Sequence, residues 1–304
     1  MSAKILDGIA IAKTIRAEVA DGIKALQSKA GITPGLAAVL VGDNPASATY
    51  VRTKGRACKE VGAFNETFAL PATVAESDLV ALVQRLNQDK RFHGILVQLP
   101  LPGHINERRV VQAISPDKDV DGLHPVSLGR LVEGEPVFIP CTPAGIQQIL
   151  LRYGYDPGGK SVVICGRSNI VGKPLALLLM QKRPGANATV TVCHTATRDL
   201  ASFTRQADIL IVAAGSPNAI TGDMVRPGVV VIDVGTNRVA DPTDKRGYRL
   251  VGDVDFASVE PKAEAITPVP GGVGPMTVTM LLVNTLKAAR LSAGLEPDEA
   301  GLRS

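Results

Sequence analysis

Two side chains suited to catalysis stand four residues apart in the first third of the chain. Tyr50 and Lys54 follow Asn44, which can cap a helix that begins at Pro45. On a helix this spacing puts both side chains on one face, where the ring can stack on a substrate and the amine can exchange protons. Taken alone, the spacing favours a helix with one packed tyrosine and one exposed lysine.

A tyrosine and lysine four apart also occur in short-chain dehydrogenases. In those enzymes the pair follows the nucleotide-binding motif, whereas here it precedes Gly166, the first glycine of such a motif, by more than a hundred residues. The order of the two features therefore argues against that class.

Two further polar side chains, Gln98 and Asp121, are candidates for binding a ligand. Gln98 lies near the end of the apolar run 94–99, which offers its amide no polar neighbour and so predicts a ligand as its partner. Asp121 closes a loop that also holds Asp117 and Asp119; we interpret Asp121 as an acceptor for a ligand and the other two as caps or loop charges. The loop lacks the glutamate that completes a calcium site, so we expect no metal.

Residues 160–174 combine a short apolar strand, a tight turn at Gly166 and a helix that begins near Gly172. This arrangement is typical of a dinucleotide site, where backbone amides and the helix dipole meet a pyrophosphate. Ser168 stands where the fingerprint has its middle glycine, so the phosphates are expected to sit differently. The alternative is a tight turn between strand and helix without a ligand.

The segment after the next strand bears on the choice of cofactor. A carboxylate there would hold the ribose hydroxyl of NAD, but residues 192–198 contain none and instead carry hydroxyls, His194 and Arg198. Arg167 is a second cation that can reach a ribose phosphate. The segment favours NADP over NAD, and its alternative interpretation is a solvated loop and helix start.

The segment 268–275 contains three glycines and three prolines. The prolines stiffen the backbone and the glycines leave it bare, which suits the close approach of a flat ligand. A hinge between domains is the alternative interpretation.

Length and composition narrow the class of protein. A chain of 304 residues predicts two domains, and 45% hydrophobic with 20% charged residues is typical of a globular protein. Only 3% of residues are aromatic and the net charge of +4 is scattered, which argues against nucleic-acid binding. No apolar run approaches the roughly 20 residues of a membrane span, and four unpaired cysteines fit a reducing cytoplasm.

The order of elements predicts the fold. Short apolar strands alternate with amphipathic helices in both halves of the chain, which indicates parallel sheets covered on both faces. We expect an α/β protein with two doubly wound domains flanking a cleft, the second of Rossmann type, and a C-terminal helix that packs back on the first domain.

Taken together, the sequence resembles the bifunctional methylenetetrahydrofolate dehydrogenase/methenyltetrahydrofolate cyclohydrolase family. Six separate segments carry the resemblance in the family's order, and they are residues 41–47, 50–54, 94–102, 116–122, 166–174 and 268–277. The resemblance implies oxidation of 5,10-methylenetetrahydrofolate with NADP, followed by hydrolysis of the methenyl product to 10-formyltetrahydrofolate, in one-carbon metabolism and purine biosynthesis.

The resemblance also implies roles for individual residues. Lys54 matches the lysine that carries the proton in hydrolysis, and Gln98 matches the side chain that hydrogen-bonds it. Tyr50 would stack on the folate, and Asp121 would accept a hydrogen bond from the pterin. Further folate-lining positions are Val51, Val97, Leu99, Pro270, Gly271, Gly272, Val273 and Gly274. The cofactor positions are Gly166, Arg167, Ser168, Thr195 and Thr236.

For the whole chain, the resemblance implies a homodimer joined through the cofactor domain. We expect a folate-binding catalytic domain at 1–140 with 275–304, and an NADP-binding domain at 141–274. Three alternatives stay open at this point. They are a dehydrogenase that has lost the second activity, an oxidoreductase of the amino-acid dehydrogenase kind, and a folate- or nucleotide-binding regulator that binds without turnover.

Overall fold

The protein is described by a computed structural model that covers residues 2–244 and 247–296. Residues 2–12 and 142–277 pack into one compact unit, called here the six-stranded unit. Residues 13–141 and 278–296 pack into a second one, called the three-stranded unit. The segment 297–304 of the expected first domain lies outside the described residues.

The six-stranded unit is built on a parallel sheet. Its strands are β1 (Lys4–Ile5), β5 (Ser161–Cys165), β6 (Thr189–Cys193), β7 (Ile209–Val212), β8 (Val230–Asp233) and β11 (Ala265–Ile266). They lie in the order β1-β11-β8-β7-β5-β6. The order of strands reverses at β5, which lies between β6 and β7, and dinucleotide-binding sheets hold their ligand at such a point.

The first strand joins this sheet from the start of the chain. Lys4 and Ile5 of β1 pair in parallel with Ala265 and Ile266 of β11. This pairing places the start of the chain with the six-stranded unit, whereas the sequence analysis assigned 1–140 to the first domain. A two-residue strand is too short to show periodicity, so the pairing could not be predicted from the residues of β1 and β11.

Helices and a hairpin complete the six-stranded unit. The helices are α6 (Cys141–Arg152), α7 (Gly172–Leu179), α8 (Leu200–Thr204) and α9 (Phe256–Val259), with a 3₁₀ turn at Gly222–Met224. The antiparallel hairpin pairs β9 (Asn237–Ala240) with β10 (Tyr248–Val251).

The three-stranded unit has a smaller parallel sheet in the order β3-β2-β4. Its strands are β2 (Gly35–Val41), β3 (Phe64–Leu70) and β4 (Gly94–Val97). The chain moves from β2 to one side and then back across to the other. Because such crossovers are right-handed, the helices between the strands lie on opposite faces.

The helices of the three-stranded unit surround this sheet. They are α2 (Pro45–Val61), α3 (Glu76–Gln88), α4 (Glu107–Ala113) and α5 (Pro125–Glu133), with α1 (Gly8–Ala30) from Lys13 onward and α10 (Val273–Ser292) from Val278 onward. One face of the sheet packs its Ala37, Val39 and Ile95 against Leu79 and Val83 of α3. The predicted α/β class with two parallel-sheet domains is confirmed.

Candidate active site

Lys54 occupies a position on α2 that otherwise carries core residues. The buried residues of this helix are Ser47, Val51, Lys54, Ala57, Cys58 and Val61, which form one stripe at helical spacing. Lys54 is only 8% exposed. A lysine is rarely buried without a partner for its ammonium group, so its burial points to a specific role.

The partner of Lys54 is Gln98, which follows β4. The Lys54 Nζ donates a 3.0 Å hydrogen bond to Oε1 of Gln98, and the Gln98 Nε2 donates a 2.6 Å bond to the Leu99 carbonyl. The backbone amide of Gln98 also donates to the Val39 carbonyl. These three bonds fix the orientation of the amide, with its oxygen directed at the amine.

The sequence analysis expected a ligand to satisfy the Gln98 amide, and this was wrong. The structure supplies both partners from the chain itself, through Lys54 and the Leu99 carbonyl. The error arose because neither partner can be recognised from the apolar strand that precedes Gln98. The hydrogen bond that the family resemblance implied between Gln98 and Lys54 is present.

Asp121 lies half-buried in a loop that the neighbouring Asp119 holds rigidly. The Asp119 carboxylate accepts hydrogen bonds from the amides of Leu123 and His124 and from the Ser127 hydroxyl. Burial raises the pKa of Asp119 to about 6, although these hydrogen bonds oppose the shift. Asp119 is thus engaged within the loop, and Asp121 is the candidate for binding a ligand.

Two residues that the sequence analysis did not select also border this loop. The Asn284 Nδ2 on α10 donates to the carbonyls of Val120 and Ile139, at 2.8 and 3.0 Å. The Cys141 thiol donates to the Val120 carbonyl at 3.4 Å. Neither residue stands near Asp121 in sequence, so only the fold reveals them.

The pKa of the Cys141 thiol is influenced by two charged groups of the expected site. Complete burial raises the pKa of its thiol, the Asp121 carboxylate raises it further, and the Lys54 ammonium acts in the opposite direction. Lys54 and Asp121 therefore lie in one electrostatic environment. The fold brings together an amine, a carboxylate and an oriented amide.

The apolar positions of the expected folate slot stand near Lys54 and Gln98 in the sequence. Val51 and Val97 are buried, at 4% and 5% exposed, whereas Leu99 is half-buried. Tyr50 lies one helical turn before Lys54 and is 44% exposed. The ring is thus open to a partner, in contrast to the packed tyrosine of the alternative interpretation.

The segment Pro270–Gly274 belongs, with Gly8 and Ile9, to the six-stranded unit. Its backbone is tied to the start of α1, because the Ile9 amide donates to the Gly271 carbonyl at 3.1 Å. A Cβ at Gly8 would overlap the Gly272 carbonyl, and Gly271 has a φ of 110° that favours glycine. The segment is therefore a fixed stretch of bare backbone.

The predicted nucleotide turn is formed between β5 and α7. Gly166 has a φ of 130°, and a Cβ there would overlap the Ala213 carbonyl that follows β7. A Cβ at Gly172 would overlap the Gly166 carbonyl. Only glycine fits at both positions, because the backbones of two strand ends and a helix start meet there.

Ser168 changes the character of this turn. Its Oγ accepts a 3.1 Å hydrogen bond from the Val171 amide and a longer one from Gly172, so it caps α7. These two amides are therefore bonded within the chain. The Ser168 hydroxyl accepts from them and keeps its own hydrogen for donation to a ligand.

The remaining cofactor positions follow the carboxyl ends of parallel strands. Gly166, Thr195 and Thr236 come after β5, β6 and β8, so they share one edge of the sheet. Arg167, Ser168, Thr195 and Thr236 are all exposed. This edge carries a cation and hydroxyls, which suits a phosphorylated ligand.

Asp199, the first acidic residue after β6, is the N-cap of a helix. Asp199 caps α8, and its carboxylate accepts a hydrogen bond from the Ser202 amide at 3.3 Å. Within the turn, the His194 amide donates to the Thr197 hydroxyl, and the His194 Nδ1 accepts from Ala196. This local geometry is consistent with the predicted preference for NADP, since Asp199 is committed to the helix.

Comparison with known proteins decides the family. Residues 6–121 match the catalytic domain of tetrahydrofolate dehydrogenase/cyclohydrolase, and residues 140–293 match the NAD(P)-binding domain of the same family. The chain belongs to the tetrahydrofolate dehydrogenase/cyclohydrolase family. It is therefore an enzyme of one-carbon folate metabolism with dehydrogenase and cyclohydrolase activities, as the resemblance in the sequence predicted.

Relatives match along nearly the whole chain. The bifunctional protein FolD 1 of Myxococcus xanthus is 60% identical over 95% of this chain and 98% of its own length. The bifunctional protein FolD of Dehalococcoides mccartyi strain CBDB1 is 56% identical over 97% of this chain and 99% of its own. The similarity thus includes both the catalytic and the NAD(P)-binding domain.

Solved structures of the family agree with the fold. The bifunctional FolD enzyme of Campylobacter jejuni has a TM-score of 0.90 and 48% identity over 96% of this chain and 100% of its own. The FolD enzyme of Trypanosoma brucei, in complex with NADP and an inhibitor, has a TM-score of 0.91. It is 43% identical and covers 96% of this chain and 99% of its own. NADP in that family member agrees with the cofactor predicted from the sequence.

Three further features of the chain concern metal ions, membrane spans and cysteines. Within 2–244 and 247–296, no group of three or more histidine, cysteine or acidic side chains is placed to hold a metal ion. The helices in the same ranges are all too short or too polar to span a membrane. The four cysteines are all free and buried.

Proposed function

We propose that Lys54, Gln98, Asp121 and Tyr50 form the catalytic folate site of this family member. The observation that carries the proposal is the buried Lys54 ammonium hydrogen-bonded to the Gln98 amide oxygen. A buried amine with one fixed partner and further donor capacity is suited to move a proton within a substrate complex.

In the cyclohydrolase reaction, a water molecule attacks the methenyl carbon of the folate cation. Lys54 in its amine form accepts a proton from that water and returns it to the ring nitrogen as the carbon–nitrogen bond opens. The second proton of the water leaves to solvent as the formyl group forms. Gln98 keeps the Nζ in place through this exchange, because its own amide is held by the Leu99 carbonyl.

The remaining residues of the three-stranded unit orient the substrate. Asp121 accepts a hydrogen bond from the pterin ring, and the exposed Tyr50 ring stacks on the folate. Val51, Val97 and Leu99 exclude water around them. On the family resemblance, we also assign the Pro270–Gly274 segment to folate binding.

The cofactor site is proposed at the carboxyl edge of the six-stranded sheet. Gly166 lets the backbone approach the dinucleotide closely, while Arg167 and Ser168 bind its phosphates and Thr195 and Thr236 bind its sugars. The side-chain-free cradle at Gly166 and Gly172 fits such a ligand. When bound, NADP supplies the hydride acceptor for oxidation of the methylene bridge.

We assign the catalytic folate residues to the three-stranded unit, 13–141 plus 278–296, and NADP binding to the six-stranded unit, 2–12 plus 142–277. We further propose a cytoplasmic homodimer joined through the cofactor domain, which supplies 10-formyltetrahydrofolate for purine biosynthesis. Sedimentation equilibrium of the purified protein tests the dimer.

A two-wavelength assay tests the proposed function. Purified enzyme receives 5,10-methylenetetrahydrofolate with NADP or NAD, and the absorbances of reduced cofactor and methenyltetrahydrofolate are followed separately. We expect reduction of NADP and a rate of methenyl loss above the uncatalysed rate. An enzyme that forms methenyltetrahydrofolate without accelerating its hydrolysis would refute the second activity, and binding without turnover would indicate a regulator.

A further inference from the structure

Two carboxylates lie buried beneath the proposed cofactor edge and have no part in the catalytic proposal. Asp233 is the last residue of β8 and is 4% exposed, and Asp253 follows β10 and is fully buried. Buried carboxylates are costly unless they are hydrogen-bonded, so their partners indicate what they do.

Asp233 fixes the backbone around its partner. Its Oδ1 accepts hydrogen bonds from the amides of Gly235 and Asp253, each at 2.9 Å, and its Oδ2 accepts from Val254 at 3.0 Å. A Cβ at Gly252 would overlap the Asp233 Oδ2. The segment 252–254 is therefore wrapped closely around the Asp233 carboxylate.

Asp253 reaches in the other direction, to two segments at the cofactor edge. Its Oδ2 accepts hydrogen bonds from the amides of Ala214 and Gly215, at 2.7 and 2.8 Å. Its Oδ1 accepts from the Asn237 Nδ2 at 2.8 Å. One carboxylate thus joins the turn after β7 to the residue that follows Thr236.

The turn after β7 supports the glycine turn directly. The Ala213 amide donates to the Cys165 carbonyl at 2.8 Å, and the Ala213 carbonyl occupies the space where Gly166 would carry a Cβ. These two turns follow β5 and β7, the strands between which dinucleotides bind in folds of this kind. Asp253 supports this edge through its bonds to the Ala214 and Gly215 amides. Its complete burial keeps it from contacting the ligand itself.

We propose that Asp253, held in place by Asp233, is a positioning residue that fixes the Ala214–Gly215 turn and Asn237 for NADP binding. The inference rests on the proposed cofactor site. An asparagine at position 253 would direct its NH₂ group at either two backbone amides or the Asn237 Nδ2, all of which are donors. A flip of the Asn237 amide would relieve the second conflict only by turning its oxygen toward the Gly252 carbonyl, to which its Nδ2 now donates. Loss of the carboxylate therefore loosens the cofactor edge.

The two reactions of the enzyme provide the test, because hydrolysis of methenyltetrahydrofolate consumes no NADP. We expect Asp253→Asn to raise the Kd and KM for NADP about tenfold or more, the size of effect that loss of charge-assisted hydrogen bonds produces. The KM for folate and the cyclohydrolase rate should stay within about twofold of wild type, since neither depends on this edge. Asp255→Asn is the matched control, because Asp255 is half-buried and accepts no side-chain cap hydrogen bond.

The outcomes separate the inference from the proposed function. Wild-type affinity for NADP in an Asp253→Asn enzyme with intact cyclohydrolase activity overturns the inference. A wild-type enzyme that fails to reduce NADP overturns the proposed function instead. If Asp253→Asn loses both activities, Asn237→Ser decides, because it removes the Nδ2 bonds to the Asp253 Oδ1 and the Gly252 carbonyl and leaves the carboxylate and its Oδ2 bonds in place; unchanged NADP affinity in that variant also overturns the inference.

Discussion

The Lys54 Nζ lies 3.0 Å from the Gln98 Oε1, and it is the amide rather than a carboxylate that accepts its hydrogen bond. A carboxylate partner would hold the lysine in its charged form, whereas an amide oxygen accepts from the ammonium without adding a countercharge. The arrangement orients the amine and leaves its proton exchangeable, which is what a proton carrier needs.

Replacement of Lys54 by methionine should abolish cyclohydrolase turnover. Methionine fills the same place in the buried stripe of α2 without an exchangeable proton, so we expect a loss of about a hundredfold or more with the fold retained. Methenyltetrahydrofolate hydrolysis and circular dichroism measure the two quantities. Lys59→Met, on the exposed side of the same helix, should keep wild-type activity. Full turnover in Lys54→Met would remove Lys54 from its proposed role.

Replacement of Gln98 should change the reaction through Lys54. Gln98→Leu removes the acceptor, and we expect the cyclohydrolase rate to fall roughly tenfold or more because the amine loses its orientation. Gln98→Glu adds a negative charge beside the ammonium, which should move the pH–rate profile to higher pH. Identical pH–rate profiles for wild type and Gln98→Glu would contradict the proposed coupling.

The cysteines should be inert in the folded enzyme. All four are buried, and burial raises the pKa of the Cys58 thiol to about 12, so its reactive thiolate is scarce near neutral pH. We expect no rapid reaction with a disulfide reagent at pH 8, and reaction of all four thiols in denaturant. Lys59→Cys supplies an exposed thiol on α2 as a positive control. Rapid modification of a native cysteine would show that its site opens.

The sequence predicted best those elements whose signals are local. The bounds of α2 follow from Asn44, which accepts from the amides of Ala46 and Ser47, and from Pro45 in the first turn. By contrast, α5 begins after His124, whose ring nitrogen accepts from the Val126 amide. Histidine is not a usual capping residue, so the signals for α5 are limited to Pro125 at its first position and Gly134 just after its end.

The candidate site was predicted in residue type but not in geometry. Lys54 stands three residues after Val51 and four before Cys58, both buried on the same stripe, and this spacing was a sign that its side chain would be buried too. The approach of Asn284 and Cys141 to the Asp121 loop depends on contacts between residues far apart in sequence. The hydrophobic periodicity of a sequence does not indicate contacts of this kind.

The cofactor preference should depend on Arg167. The Arg167 side chain is exposed at the proposed cofactor edge, and a guanidinium there can bind the phosphate that distinguishes NADP from NAD. Arg167→Gln should raise the KM for NADP about tenfold and change that for NAD little. Lys182→Gln, a neutralised exposed cation of the same unit, is the control. Equal losses with both cofactors would place Arg167 outside phosphate recognition.

Stability should depend on pH through Asp119. Burial raises its folded-state pKa from 3.8 to about 6, so between these values the unfolded chain loses the proton while the folded protein keeps it. The contribution of Asp119 to the free energy of unfolding is therefore full below pH 4, falls as pH rises to 6 and then stays constant, a loss of roughly 3 kcal/mol. Asp119→Asn cannot titrate, so the stability of wild type relative to this variant should fall across that window.

Urea unfolding of wild type and Asp119→Asn at pH 4, 5, 6 and 7 measures this difference. Because both proteins share every other titrating group, the subtraction isolates Asp119. Asp117→Asn is the control, since the Asp117 carboxylate lies exposed two residues earlier in the same loop. A difference between wild type and Asp119→Asn that stays constant from pH 4 to pH 7 would mean that the Asp119 carboxylate is ionised throughout, and that its three hydrogen bonds outweigh the cost of its burial.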